Sequence, residues 1–506
     1  MTIPAFDENT NIQDPNIPSD VLVSKQFLTV LDLLGEGVIS GFPSATGSQG
    51  SAEYNTSALK DVFLNGNQVL DQAAGTSPAA TDFNFANVSF EPRFGTSNQA
   101  SINSITQTER EIGVGVVVEK DTPVSRDITD STVNAVRVTL TFPSLQKFED
   151  NGDINGAEVQ LNIQTISGGQ TNTVLTDTVR GRTQSTYARD YKITFGAGAA
   201  FPVTIRVNRL TDDSTDTKLQ NTMIWSNMTE IIHDASTFPN SAYAALRIDA
   251  ETFPSIPRRT YRVRGTKIAI PHNGTVRADG SISYSGVFNG TLKGTKEYSN
   301  DPAWILYDLL TTSKGFGDHV TASQLDIFSF YSASVYCSEL IDAGNGNGSV
   351  EPRFSCNVVI QNQKQAYSLI NDICSVMRVM PFYSAGTITI GQDRPTDPTY
   401  LFNLSNVTEA GFSYANSSKS TKVTVVNVSY FDMETQQIDY ETSKDDALIA
   451  KYGVVTKNLR GFATTSRGMA ARLGRWYLYT QSNEAEIVTF TTTLESGTIV
   501  RPSAVI

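Results

Sequence analysis

The chain has 506 residues, a net charge of −13 and a pI near 4.8, and only 18% of its residues are charged. That length exceeds what one hydrophobic core serves and predicts roughly three or four domains. The acidity excludes a sequence-specific nucleic-acid reader, which needs clustered Lys and Arg, yet suits the wall of a conduit through which DNA slides.

Thr, Ser, Asn, Gln and Gly stand where long surface helices would carry Glu and Lys, so composition predicts a β-rich fold. The cysteines Cys337, Cys356 and Cys374 are odd in number and lack CxxC spacing. They read as buried free thiols of a protein folded in a reducing compartment. The acidic start resembles neither a signal peptide nor an anchor, and no apolar run approaches the roughly 20 residues of a membrane helix. This predicts a soluble protein that does not use the general export route.

In chain order, a polar arm precedes a strand over 27–34 that runs into a Gly-punctuated turn, and 60–64 meets 68–70 across Asn65-Gly66-Asn67, a strong hairpin pattern. From about 100 to 221 apolar and polar residues alternate strictly. Val136, Val138, Leu140 and Phe142 are separated by Arg137, Thr139 and Thr141, and the runs 159–163, 191–195 and 203–207 behave alike. This predicts an inserted antiparallel sandwich, with 212–216 as a polar break. Strands return near 261–263, 268–270 and 285–288. Asp301 and Pro302 then open a helix, Thr321 with Gln324 forms a capping box for a helix reaching about 342, and 366–377 carries an apolar helical face. The last part mixes strands at 421–430 and 486–494 with helices at 444–452 and 467–479. Residues 501–506 read as the approach to another strand.

Motifs of chemistry are weak. His233, His272 and His319 have no HxxxH or HExxH context and no GxSxG elbow exists, which predicts no catalysis, and no cofactor or metal site is assigned. The loop 151–156 places Asn and Asp at calcium-like spacing, but its twelfth position is Asn162, so it reads as a hairpin turn. Gly113-Val114-Gly115 lacks the third glycine and the helix of a dinucleotide site. In the helix from Arg467, Met469, Leu473 and Trp476 form an apolar stripe. Arg472, Arg475 and Tyr479 lie on a neighbouring face, and with Arg467 they make a candidate protein interface, a plain solvated face being the alternative.

Several phrases are more specific. They are residues 24–33 (SKQFLTVLDL) with Gly35-Glu36-Gly37, 300–310 (NDPAWILYDLL), 351–357 (EPRFSCN), Asp393-Arg394-Pro395, and Thr465-Ser466-Arg467-Gly468 through Gly474-Arg475-Trp476. Together, and in this order, they resemble the N-terminal hub portion of the phage tail tip attachment (host specificity) protein J family. The likeness is weakest over about 100–235.

That resemblance implies a mixed, β-rich multidomain chain. Its parts are an N-terminal arm and the first part of a hub barrel domain (1–99), an inserted β-sandwich-like domain (100–235), a return to the barrel (236–299), an α/β domain (300–395) and a second hub barrel, possibly truncated (396–506). It implies a structural virion protein, assembled in the host cytoplasm, that forms a homotrimeric ring at the distal tail tip. The ring would match and close the tail tube, contact distal tail and tape-measure proteins, and let phage DNA pass in transit. Host-receptor binding would belong to a region missing here or to another protein. A β-rich adhesin or carbohydrate-binding protein, and a cell-wall hydrolase, are the competing readings.

Overall fold

The structure is a computed structural model that describes residues 27–102, 107–196, 199–233, 236–250, 252–253, 255–362, 364–384, 386–416, 422–484 and 486–506. The polar arm, with Ser24, Lys25 and Gln26 of the first phrase, lies outside the described residues, as does Thr421. The fold is β-rich and multidomain, and the chain divides into two compact units, 1–263 and 264–506.

In the first unit, strand Ser241–Asp249 is the middle of a three-stranded antiparallel sheet between Phe27–Glu36 and Ser89–Phe94. Ala242, Tyr243, Ala244, Ala245, Leu246 and Ile248 are all buried. A strand covered on both faces reads as such a continuous apolar run. Helix α1 (Ala52–Ser57), capped by Ser51, packs on the same core. The hairpin Val62–Leu64/Asn67–Gln68 turns on Asn65 and Gly66, whose φ values of 52° and 87° are the paired positive angles of the favoured two-residue turn. Lys60, read as the start of this strand, belongs instead to a 3-10 turn, Ala58–Asp61.

Because the outer partners of that sheet precede residue 95 and its middle strand follows residue 240, the chain between them leaves one sheet and returns to it. The intervening strands form two four-stranded antiparallel sheets and a small three-stranded one of Ile154–Asn155, Gln146–Phe148 and Leu219–Gln220. Of the two larger sheets, one runs Gln170–Gly181, Ala157–Ser167, Val203–Arg209, Val124–Ile128; the other runs Tyr187–Thr194, Ala135–Phe142, Ile224–His233, Gln107–Val117. Val138, Leu140, Phe142, Leu161, Ile163 and Trp225 are fully buried between the sheets. Arg137 and Thr139, one position out of phase, face water and pair across strands with Glu109 and Asp190. Gly113 and Gly115 sit inside a strand, so they form no phosphate loop. Asn151 is part of a turn, its Oδ1 accepting from the Asp153 N–H at 3.0 Å.

In the second unit, α2 (Pro302–Thr311), α3 (Ile327–Cys337) and α4 (Ala366–Met377) pack with the hairpin Val379–Ser384/Thr387–Gln392. Trp304, Phe330, Ile373 and Met377 fill this core, with all three cysteines buried as free thiols. Asp301 caps α2: its Oδ1 accepts from the N–H groups of Ala303 and Trp304 at 3.0 and 3.1 Å. Its Oδ2 accepts from the Ser334 and Ser338 hydroxyls at 2.6 and 2.9 Å. Burial pushes this carboxyl up to about 6 against those four hydrogen bonds.

Two expectations are corrected here. The capping box at Thr321 closes only a 3-10 turn, Ala322–Gln324, because Leu325 is extended and buried against the hairpin strand. Asp326 N–H donates to Ile388 O instead of continuing a helix, so α3 begins at Ile327; it ends at Cys337, and Leu340–Asp342 is a strand. The strand expected at 285–288 lies at Ile282–Tyr284, since Gly286 takes a φ of 71° and turns the chain away.

At the C-terminal end, Val425–Asp432 pairs antiparallel with Gln437–Lys444 and, across helix α5 (Asp446–Tyr452), parallel with Thr456–Arg460. Val426, Val428 and Tyr430 are buried beneath helix α6 (Arg467–Asn483). A second ribbon pairs Val407–Asn416 with Glu486–Thr492 and is followed by α7 (Leu494–Ile499). Residues 501–506 form no strand.

Candidate protein-binding site: the α6 cleft

Helix α6 starts where Ser466 caps it, the Oγ accepting from Met469 N–H at 3.2 Å. The same hydroxyl donates to the Glu351 carboxylate. Two glycines let the helix lie close to its neighbours. A Cβ on Gly474 would stand 2.6 Å from Ser443 Oγ in the sheet below, and one on Gly468 would stand 2.3 Å from Ala343 O. Ala470, Gly474 and Leu478 make the buried face, and Met469 enters the core of α2, α3 and α4.

The apolar stripe read from the sequence is thereby corrected. Trp476 is not a core residue in line with Met469 and Leu473. It shares a face with Arg472, Arg475 and Tyr479, the i, i+3, i+4, i+7 set that falls on one side of a helix. These four line a cleft of about 390 Å³ together with Tyr336, Arg353, Phe354 and Arg378. Arg467 is not among the lining residues; it is exposed and pairs with Glu441 at 2.7 Å.

Three of the diagnostic phrases meet here. From 351–357, Glu351 pairs with Arg472 at 2.7 Å, and Arg472 also donates to the Arg353 carbonyl at 3.2 Å. Arg353 lies 4.2 Å over the Tyr336 ring and pairs with Glu339 at 2.6 Å. From the Asp393-Arg394-Pro395 phrase, Asp393 accepts from Trp476 Nε1 at 2.8 Å, and Arg394 bonds Ser332. The helix phrase supplies the rest.

Arg378 is the centre of the cluster. It ends α4 in the left-handed conformation, with φ 54° and ψ 48°. Its guanidinium sits between aromatic faces, 4.7 Å from the Trp476 ring and 5.2 Å from Phe354, and donates to the Arg472 carbonyl at 3.2 Å. Burial pushes it down to about 10, with Asp393 opposing and Arg472 and Arg353 adding repulsion, so it stays charged at neutral pH. Burial also lowers Arg472, which Glu351 opposes. Arg475 and Tyr479 are exposed at the mouth.

The sequence reading thus reached Arg472, Arg475 and Tyr479, and missed Tyr336, Arg353, Phe354 and Arg378. The missed residues come from three separate segments, which no single helical wheel can show. One usable signal existed: an arginine directly after a helix end in an acidic chain.

Among the described residues no group of three or more His, Cys, Asp or Glu could hold a metal ion, and no helix is long and apolar enough to cross a membrane. The cleft offers cationic hydrogen-bond donors on aromatic walls, which is binding chemistry.

Residues 108–234 match the FNIII-A domain of tip attachment protein J, and residues 365–506 match a family described as putative phage tail protein. Tip attachment protein J of Escherichia phage SECphi27 is 34% identical over 441 residues, which cover 86% of this chain and 36% of that protein. Its counterpart in Escherichia phage SECphi4 is 28% identical over 476 residues, 94% of this chain and 40% of that protein. The chain therefore spans less than half the length of these curated relatives. A solved structure from Sulfurospirillum deleyianum aligns with 26% of this chain and 99% of its own at 10% identity, with a TM-score of 0.16, and carries no information on the fold. The likeness to protein J runs through both units of the chain, which belongs to the tip attachment protein J family of bacteriophage tails.

Proposed function

We propose that the chain is the hub of a phage tail tip. It forms a homotrimeric ring that matches and closes the tail tube, docks the tape-measure and distal tail proteins, and opens for DNA at infection. It is assembled in the host cytoplasm and works without catalysis. Residues 27–99 and 236–299 make one barrel of the ring and 396–506 the second, while the sandwich and the α/β block stand outside the barrels.

The observation that carries this reading is the extended likeness to protein J. Two physical features support it. The C-terminal sheets expose Phe431, Ile438, Tyr440, Tyr414, Ile487 and Val488, apolar area that a lone subunit would leave in water and that further copies would cover. A net charge of −13 disfavours tight binding to the DNA that must pass. Arg467, Arg472, Arg475 and Tyr479 belong to a contact surface for another tail protein.

A reconstruction of the intact virion tests the proposal. Density for this chain in a threefold ring at the distal end of the tube is expected. A different symmetry, or a place away from the tip, overturns it.

A further inference from the structure

We propose that the α6 cleft is a socket for a carboxylate-bearing peptide segment of another tail protein. Its acidic group is held by Arg378 and Arg475, and a neighbouring apolar side chain lies against Trp476 and Tyr479. This rests on the tail-tip reading and adds the chemistry of the partner.

Four arginines converge in a chain that is acidic overall. Arg353 and Arg472 have carboxylate partners, Glu339 and Glu351. Arg378 and Arg475 make no ion pair among the described residues, and Arg475 bonds only the Ala471 carbonyl of its own helix. Asp393 is the carboxylate nearest Arg378 in effect, and its Oδ2 is engaged by Trp476 Nε1. That bond to a neutral N–H leaves the charge of Asp393 to offset Arg378 in part, so the four arginines face three carboxylates and the cleft keeps an excess of positive charge, with Arg475 at the mouth farthest from compensation.

Arg353, Arg378 and Arg472 each keep a buried Nε–H without an acceptor. Such orphaned donors are costly but closed to solvent, so they show only that the cluster is short of acceptor oxygens; the donors open to a ligand are the terminal nitrogens of Arg475 at the mouth, whose Nε alone is bonded among the described residues. A carboxylate supplies two acceptor oxygens, in the planar arrangement that matches a guanidinium fork. The forks are already held: Arg378 lies between Phe354 and Trp476, and Arg353 lies on Tyr336. Arg378 therefore has little side-chain entropy left to lose on binding, and the ordering cost falls on Arg475 at the mouth.

Size and surroundings select the ligand class. A volume of about 390 Å³ holds one or two side chains rather than a duplex backbone. Aromatic walls favour a segment with apolar character beside its charge. A polyanion such as DNA would feel the repulsion of the whole acidic chain, whereas one carboxylate senses only charges within about 8 Å, a Debye length at physiological salt. These terms favour an acidic peptide.

The test uses intact virions in which Tyr479→p-benzoylphenylalanine places a photo-crosslinker at the mouth. After irradiation, mass spectrometry should find the link on a peptide of a different tail protein, with Asp, Glu or a C-terminal carboxylate within about three residues of the linked position. Adding Arg475→Glu should lower the yield, counted per copy of this chain in the virion, by about tenfold or more. Arg475→Lys should retain most of it, because the charge survives. A link to DNA, to a segment without a carboxylate or only within this chain, no link at all, or a yield indifferent to Arg475→Glu overturns the socket. Absence of the chain from purified virions overturns the tail-tip reading itself, a result visible without any cross-link.

Discussion

The inserted sandwich and the C-terminal sheets are built from strands of similar length, yet they present opposite faces to water. In the sandwich, the apolar faces of two sheets meet, Phe142, Leu140, Leu161 and Trp225 are fully buried, and the outward positions carry Arg137, Thr139 and Asp190. In the C-terminal sheet only one face is covered, by α6. Its other face shows Ile438 at 68% and Tyr440 at 65% exposure, opposite Phe431 and Ser429 in the register. The ribbon beyond shows apolar side chains on both faces, Tyr414 with its cross-strand partner Val488 on one and Ile487 on the other. The sandwich completes its core within one chain; the C-terminal sheets do not. Self-sufficiency suits an insertion that can vary without disturbing its host sheet, and bare apolar faces suit elements whose partners are other subunits.

Mutations can break that contrast at its strongest point first. Trp225→Ala removes the largest buried side chain of the sandwich and should cost about 3–5 kcal/mol of its unfolding free energy, read from urea denaturation. A loss below about 1 kcal/mol would mean that the sandwich core is not the closed unit described. Next comes Asp301, whose raised pKa sets the sign of a pH effect in the second unit. Its contribution is fully present below its ordinary value of 3.8 and is lost as pH rises through about 6. The stability of the protein relative to Asp301→Asn should therefore fall by about 3 kcal/mol between pH 4 and pH 7. A pH-independent difference would show that the four hydrogen bonds cancel the effect of burial and leave the carboxyl at its ordinary value in the fold. Gly474→Val tests the close seat of α6: the added Cβ would meet Ser443 Oγ, and about 1–3 kcal/mol should be lost in urea denaturation.

The same contrast explains what could be read in the sequence. Alternation over 136–142, 159–163 and 203–207 was decisive because each strand has one wet and one dry face within the chain, whereas the strand Ser241–Asp249, covered on both faces and so without that alternation, was not singled out. The helix at Thr321 was misread because a good capping box says nothing of Leu325, whose burial against a distant hairpin ends the turn. Half of the α6 cleft was legible as helical spacing. The other half depends on Arg353 and Arg378 arriving from segments more than ninety residues away, and Trp476 was placed on the wrong face because an indole suits a core as well as an arginine stack.

The smallest effect on stability bears most directly on the open sheets. Ile487 is 68% exposed, so Ile487→Asp together with Ile438→Asp should change the unfolding free energy by no more than about 0.5 kcal/mol per site. If these faces join copies of the chain, the pair of charges must be desolvated on association, and sedimentation should show the assembled species replaced by the single chain at the same concentration. Trp225→Ala should do the reverse, weakening the fold of the sandwich while leaving the assembled mass unchanged in native buffer. Crossing the two variants separates folding from assembly. If the charged faces leave the mass as it was, the apolar area of the C-terminal sheets serves some other partner, and the joint between copies lies on another surface of the chain.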